Sequence, residues 1–519
     1  MMPRPLTGTI LGFFAFAGLA QAQETEPLSA IDWLSQSVQV PASASQTGVG
    51  PFFDEPPVSN NASTPEITVT PLDGAGARIV GVLPSSQTGL PETIWANSAE
   101  ATLVGLIQAE RTRNLPALHD LLVTLMLAKA ERPALSSATD ALLLARIDKL
   151  LDQGALVQAR SLIEAAGYDD PAVYRRAFDV SLLTGTENEA CALLRSRPTL
   201  APTYPARIFC TARNGDWNGA ALTLNTARAL GDVSDEEDAL LSRFLDPAIS
   251  DGAAPLPPPS RPSPLVFLMR EAIGEALPTS NLPLAFAHAD LRATVAWRTQ
   301  MEAAERLARE QAIAPSVLLA AYTKRTPAAS GGVWDRAEAI QRFDVAIRAR
   351  DTGAVTSSLA DAWSAMLTAQ TEVAFATLYA PALAGLPLTG EAARLARTIG
   401  LLSPDYEAAA QPRPDDSAQD RFLAAIARGD VRSVPVPAQA GAAAVHAAFA
   451  GAPVPAALAQ HLEAGRLGEA LLRAIAAFGQ GAAGDYMAIT DALATFRAVG
   501  LEEVARRAAL QYLILDRLS

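Results

Sequence analysis

Five times in this chain a glycine is followed five residues later by an alanine where two helix-period patterns meet: Gly154 and Ala159, Gly185 and Ala190, Gly215 and Ala220, Gly465 and Ala470, Gly500 and Ala505. Glycine takes the left-handed conformation at little cost and ends one helix, and alanine on the next helix lets two backbones approach closely. A chain that keeps repeating this device reads as helix packed on helix along an array. Composition agrees, since half of the residues are hydrophobic, only 6% are aromatic, and strand formers are sparse. The expected fold class is all-α, an α-solenoid of helix pairs preceded by a mostly disordered N-terminal tail.

The beginning of the chain reads as an export signal. Arg4 precedes an apolar run from Ile10 to Leu19, and Ala20-Gln21-Ala22 is a small-x-small cleavage site, so residues 1–22 are expected to be removed after Ala22. The apolar run is shorter than the roughly 20 residues a bilayer requires, and no later stretch is apolar for long enough to span a membrane. The expected product is periplasmic or secreted, with no membrane span after cleavage.

Residues 23–92 are rich in Pro, Ser, Thr and Gly and show no sustained helical period, which reads as the disordered tail. Ile31, Trp33 and Leu34 are its bulky exceptions, and the β-prone runs 67–70 and 79–83 suggest a hairpin against the helical body. A first helical array covers 93–248. Its helix starts are marked by Asp170 before Pro171 and by the pair Ser234 and Glu237, a capping box. The proline-rich stretch 249–264 reads as a stiff linker, 265–402 as a second helical region, 403–416 as another break, and 417–519 as C-terminal helical repeats.

The phase of these repeats resembles the tetratricopeptide-repeat family. Gly154 is followed by Ala159, Ile163, Ala166 and Pro171; Gly185 by Ala190, Leu194 and Pro202; Gly215 by Ala220, Leu224 and Ala227. The C-terminal glycines Gly465 and Gly500 lie 35 residues apart, close to the family period of about 34. The first array instead repeats at 31 and 30 residues, and aliphatic or polar residues fill the family's aromatic positions. The resemblance implies a right-handed stack of helix pairs whose concave face holds a peptide or protein surface.

No residue constellation commits the chain to one reaction. The four histidines, His119, His288, His446 and His461, have no partners at metal-ligand spacing, and Gly-x-Ser-x-Gly, P-loop and His-Glu-x-x-His patterns are absent. No cofactor or metal is expected. The formal net charge of −14 argues against a nucleic-acid partner, which needs clustered Lys and Arg. Cys191 and Cys210, nineteen residues apart, fall on successive helices in the repeat phase and could form a disulfide in an oxidising compartment, or remain buried thiols. The loop 330–336, with Trp334 beside Asp335 and Arg336, is the most site-like stretch, although Asp335 capping the next helix explains it.

The expected role is binding: an exported scaffold or chaperone for a protein partner in the cell envelope, not an enzyme. Trp217, Arg175 and Tyr174 are the candidate surface. The alternative is the accessory helical part of a peptidoglycan-active enzyme, since an exported alanine-rich superhelix resembles the helical region of soluble lytic transglycosylases. Glu463, Glu469, Glu502 and Glu503 are the C-terminal carboxylates that such chemistry could recruit, although they lie on evident repeat helices.

Overall fold

The computed structural model describes residues 79–515, apart from 112–113, 135 and 137–139. The stretch read as a signal peptide, residues 1–22, and the part of the expected tail through residue 78, with Ile31, Trp33, Leu34 and the run 67–70, lie outside the described residues. Helices of eight residues or more follow one another: α1 (Glu100–Ala109), α2 (Pro116–Leu127), α3 (Ala141–Asp152), α4 (Leu156–Ala166), α5 (Pro171–Thr184), α6 (Glu187–Ser196), α7 (Tyr204–Arg213), α8 (Trp217–Leu230), α9 (Asp235–Leu245) and α10 (Pro264–Ala272). A 3₁₀ helix at Leu284–Leu291 leads into α11 (Trp297–Arg309), α12 (Pro315–Thr323), α13 (Val333–Arg348), α14 (Thr352–Ala369), α15 (Glu372–Ala384) and α16 (Gly390–Leu401). The last group is α17 (Ala418–Arg428), α18 (Ala442–Ala450), α19 (Ala456–Glu463), α20 (Leu467–Ala482), α21 (Tyr486–Ala498) and α22 (Glu502–Leu515). The fold is all-helical, and among the described residues β-pairing is limited to isolated bridges.

One turn geometry recurs at the glycine-alanine junctions. All five glycines have positive φ, between 69° and 91°. In each, the N–H of the residue after the glycine donates to the carbonyl five residues back: Ala155 to Leu150, Thr186 to Ser181, Asp216 to Thr211, Arg466 to His461 and Leu501 to Phe496. This is the six-to-one closure of a Schellman ending, and it reverses the chain in two or three residues. Ala159, Ala220, Ala470 and Ala505 are fully buried, whereas Ala190 is half-buried. The same closure joins Ala312 to Leu307, Asp351 to Ala346 and Thr371 to Met366, with Gln311, Arg350 and Gln370 at φ 53–57° in the glycine's place. There the fifth residue is Val355 after Arg350 and Phe375 after Gln370, both buried. The middle of the chain therefore keeps the device with other residues, which a glycine-alanine pattern cannot detect.

The helices do not stay in separate arrays. A central core joins α1–α4 with α17–α22, so the end of the chain packs on its beginning. Ala117 donates its backbone N–H to Gln511 Oε1 at 2.8 Å, Gly468 donates to the Ile94 carbonyl at 3.1 Å, and Arg507 pairs with Asp120 at 3.0 Å. A second core runs through α11–α16, and a third through α5–α10. The 3₁₀ segment is wedged among α3, α5 and α11, where His288 Nε2 lies 2.7 Å from the Gly154 carbonyl.

Three stretches differ from the reading as tail or linker. Residues 79–92 pack on the body: Val80 bridges Ala130, Leu83 bridges Ala128, and Val80 and Leu90 are buried. The run 79–83 thus pairs with the chain after α2, because Arg146 from α3 donates to the carbonyls of Val80, Met126 and Ala128 and holds the two segments together. The proline-rich stretch is fastened to α9 and α10, with Arg243 of α9 donating to the carbonyl of Ala254 and Arg270 of α10 to those of Leu256 and Pro257. In 403–416, Tyr406 and Ala410 are buried, and Asp416 pairs with Arg397.

Candidate functional site

A cleft of about 200 Å³ opens among α4, α5 and α6. Its existence follows from local chemistry. Gly167 ends α4, Asp170 accepts the Ala172 N–H at 2.7 Å with Pro171 at the first helical position, and the Gly185 turn sends α6 back along α5. Three helices held at these angles leave a gap because the facing positions Ala177 and Ala190 are small. Ile163, Val180 and Leu193 supply its apolar wall. Tyr174 is almost fully buried and donates its hydroxyl to the Ala190 carbonyl at 2.9 Å, and burial pushes its phenol up to about 12. Tyr168 is half-buried at the opening. On the rim Arg160 pairs with Glu164 at 2.8 Å and with Glu189 at 3.1 Å.

The wall formed by α6 is weakly anchored by packing, since it buries only Cys191 and Leu194. A covalent link makes up for this: Cys191 is bonded to Cys210 of α7, with Cα atoms 4.9 Å apart. Closing a nineteen-residue separation in this way contributes on the order of 3 kcal/mol, mostly by restricting the unfolded chain. Arg213 adds hydrogen bonds to Glu187 at 2.6 Å and Asn188 at 2.9 Å. Both sulfur-bearing residues are buried, so the link belongs to the core of this region.

Buried charge is concentrated elsewhere, around α3, whose residues from Ala145 to Asp152 are all buried. Lys149 Nζ donates to the Glu110 carbonyl at 2.8 Å and to Asp152 at 3.1 Å, and Arg176 binds Asp148 through two nitrogens. Burial raises the Glu110 carboxyl to about 7 despite Lys149 and Arg111, and raises Asp179 to about 7 despite Arg175 and Arg176. Burial also lowers His119 to about 4, which keeps it neutral. Lys149 and Arg176 are satisfied by a backbone carbonyl and opposite charges, which is how a core holds ions rather than how a site presents them.

The residues singled out from sequence scatter. Tyr174 and Arg175 do not form a surface with Trp217: Tyr174 is inside, Arg175 is half-buried, and Trp217 is half-exposed on α8 with its ring 6.1 Å from Phe244. Helix period places 174 on the face toward α6, and only the packing of that helix shows that the face is covered. In the loop 330–336, Asp335 does not cap α13. Gly332 holds the N-cap position without a side-chain bond, and the Asp335 carboxylate accepts the Gly331 N–H at 2.7 Å instead. Arg336 is bidentate to Glu305, Tyr322 donates to the same carboxylate, and Trp334 packs edge-on against Trp297.

Among the C-terminal carboxylates, Glu469 is buried. Burial acts to raise its pKa, but the hydrogen bond from Arg473 and the charges of His461, Arg473 and Arg466 outweigh it and hold it low. Glu502 bridges Arg497 and Arg506, Glu503 faces Arg507 at 4.0 Å, and Glu463 is exposed at the end of α19. Among the described residues no group of three metal-ligating side chains converges, and no helix is long and apolar enough to cross a membrane. The cleft was missed in the sequence because its signals, Gly167-Tyr168 and Ala177, are ordinary residues whose meeting depends on three helices.

The arrangement defines an all-helical protein with a side-chain-sized cleft between consecutive helices. No family model, curated protein or solved structure matches the chain.

Proposed function

We propose that this chain is an exported, TPR-like helical-repeat protein that binds a protein partner in the cell envelope as scaffold or chaperone. The observation that carries the reading is the cleft among α4, α5 and α6, an opening with an aliphatic wall and a polar rim between successive helices of the repeat-like region. The Cys191–Cys210 bond supports export, since such links persist in oxidising compartments. Val157, on the exposed side of α4 one turn before Arg160, extends apolar surface beside the opening.

The test is a photo-crosslinking amino acid at Val157 in the native host, compared with one at Val345 on α13, which is equally exposed. A discrete adduct from 157 that is missing from 345 supports the reading. Equal labelling at both positions, or none at 157, removes it.

A further inference from the structure

Resting on that reading, we propose that the cleft takes an extended segment of the partner in which one aliphatic side chain enters the opening and a neighbouring lysine or arginine meets Glu164 and Glu189 on its rim. At about 200 Å³ the opening is smaller than the roughly 300–1,000 Å³ of sites that enclose whole small molecules. It suits a single anchoring side chain. Its inner surface, from Ile163, Val180 and Leu193, offers dispersion contacts and no free charge, so the anchor is aliphatic.

The rim sets the sign of what lies beside the anchor. Glu164 and Glu189 share one guanidinium, that of Arg160, which leaves one negative charge in excess. Their side chains are 49% and 70% exposed, so an incoming cation can reach them without dismantling the core. The Tyr168 ring stands at the same edge, and burial together with the charge of Glu164 pushes its phenol above the usual value. An aromatic face next to carboxylates favours a cation over an anion. The formal net charge of −14 acts in the same direction at longer range and speeds encounter with a basic partner.

The experiment is selection of a phage-displayed random dodecapeptide library on the full chain with its disulfide intact, followed by fluorescence anisotropy of the enriched peptides. Peptides carrying Leu, Ile, Val or Met within two residues of Lys or Arg are expected. Their affinity is expected to fall at least tenfold on Ala190→Trp, which fills the cleft, and at least threefold on Glu164→Lys with Glu189→Lys. Ala190→Trp can unseat α6, so its circular dichroism is measured alongside; the charge-reversed chain changes only half-exposed or exposed side chains and is read independently. Enrichment of acidic or uncharged peptides, or indifference to charge reversal, overturns the partner chemistry while sensitivity to Ala190→Trp leaves the cleft standing as a binding site. Peptides that bind a folded Ala190→Trp chain as well as the parent, or no enrichment, overturn both.

Discussion

The central core and the α5–α10 region use the same turns and helices to opposite ends. α3 buries all of its residues but Ala141 and Leu144, and the core it belongs to is tight. A Cβ added at Gly468 would run into the Trp95 ring, and one added at Gly441 into Tyr512. In α5–α10 the turn glycines Gly185 and Gly215 have nothing within 4 Å, α6 buries two side chains, and α8 buries only Ala220, Leu224 and Ala227. Both regions have a buried core, but α6 and α8 add little to theirs, and a covalent bond supplements it. The difference teaches where binding can occur: surface that packing has not consumed remains on the thinner region, and the disulfide keeps it in shape.

The sharpest test of that contrast is Lys149→Ala, which removes the ammonium that the Glu110 carbonyl and Asp152 surround. Taking one member out of a buried ion pair is expected to lower stability by about 3–5 kcal/mol, read as a fall in denaturation midpoint. A loss below about 1 kcal/mol would show that water reaches α3. Next is Cys191→Ser with Cys210→Ser, expected to cost about 3 kcal/mol. Hydrogen exchange should speed in α6 and α7 while α3 and α20 stay protected; uniform exchange across the molecule would contradict the division into two kinds of region.

Smaller effects separate the glycines. Gly468→Ala is expected to cost about 2–3 kcal/mol by overpacking against Trp95, and Gly215→Ala only about 1 kcal/mol, because φ is +91° there but the space is open. Equal melting shifts for the two would erase the distinction.

Acid titration gives the finest test. Asp179 has a folded pKa of about 7 against an ordinary value of 3.8, so the folded chain holds a proton that the unfolded chain has lost between these values. Its contribution is fully present below about 3.8 and lost as pH rises through 7. Asp179→Asn is expected to remove that slope and to raise stability at pH 8 relative to the parent. His119 works the other way, since its pKa is lowered to about 4 from 6.5 and stability is lost as pH falls between them. A parent-like pH slope in Asp179→Asn would mean that Asp179 stays ionised in its pair with Arg175 and Arg176.

Much of the helix grammar was legible in the sequence. Asp170 with Pro171, and Ser234 with Glu237, start helices because their side chains satisfy amide groups two or three residues away. Gly154, Gly185, Gly215, Gly465 and Gly500 end helices for an equally local reason, a left-handed residue that lets the next N–H reach five residues back. Where Gln311, Arg350 and Gln370 make the same turn, an ordinary side chain sits in the left-handed conformation, and no short pattern announces it. The candidate site was less legible still. Tyr174 reads as a surface aromatic until α6 covers it, and Tyr168 and Ala190 become neighbours of one opening only through the angle between α4 and α6.

The amino-acid sequence alone therefore determined that this chain is helical, where many of its helices begin and end, and which charge it carries into any encounter. These depend on interactions spanning about five residues or on plain summation. The tertiary structure decided that residues 79–130 and 417–515 share a core, that Arg146 pins the entering chain, and that one cleft stays open beside the Cys191–Cys210 bond. Those outcomes depend on contacts between segments from tens to hundreds of residues apart, such as Arg146 with Val80 and Ala117 with Gln511, whose formation is favoured by burial of apolar area that no local pattern records.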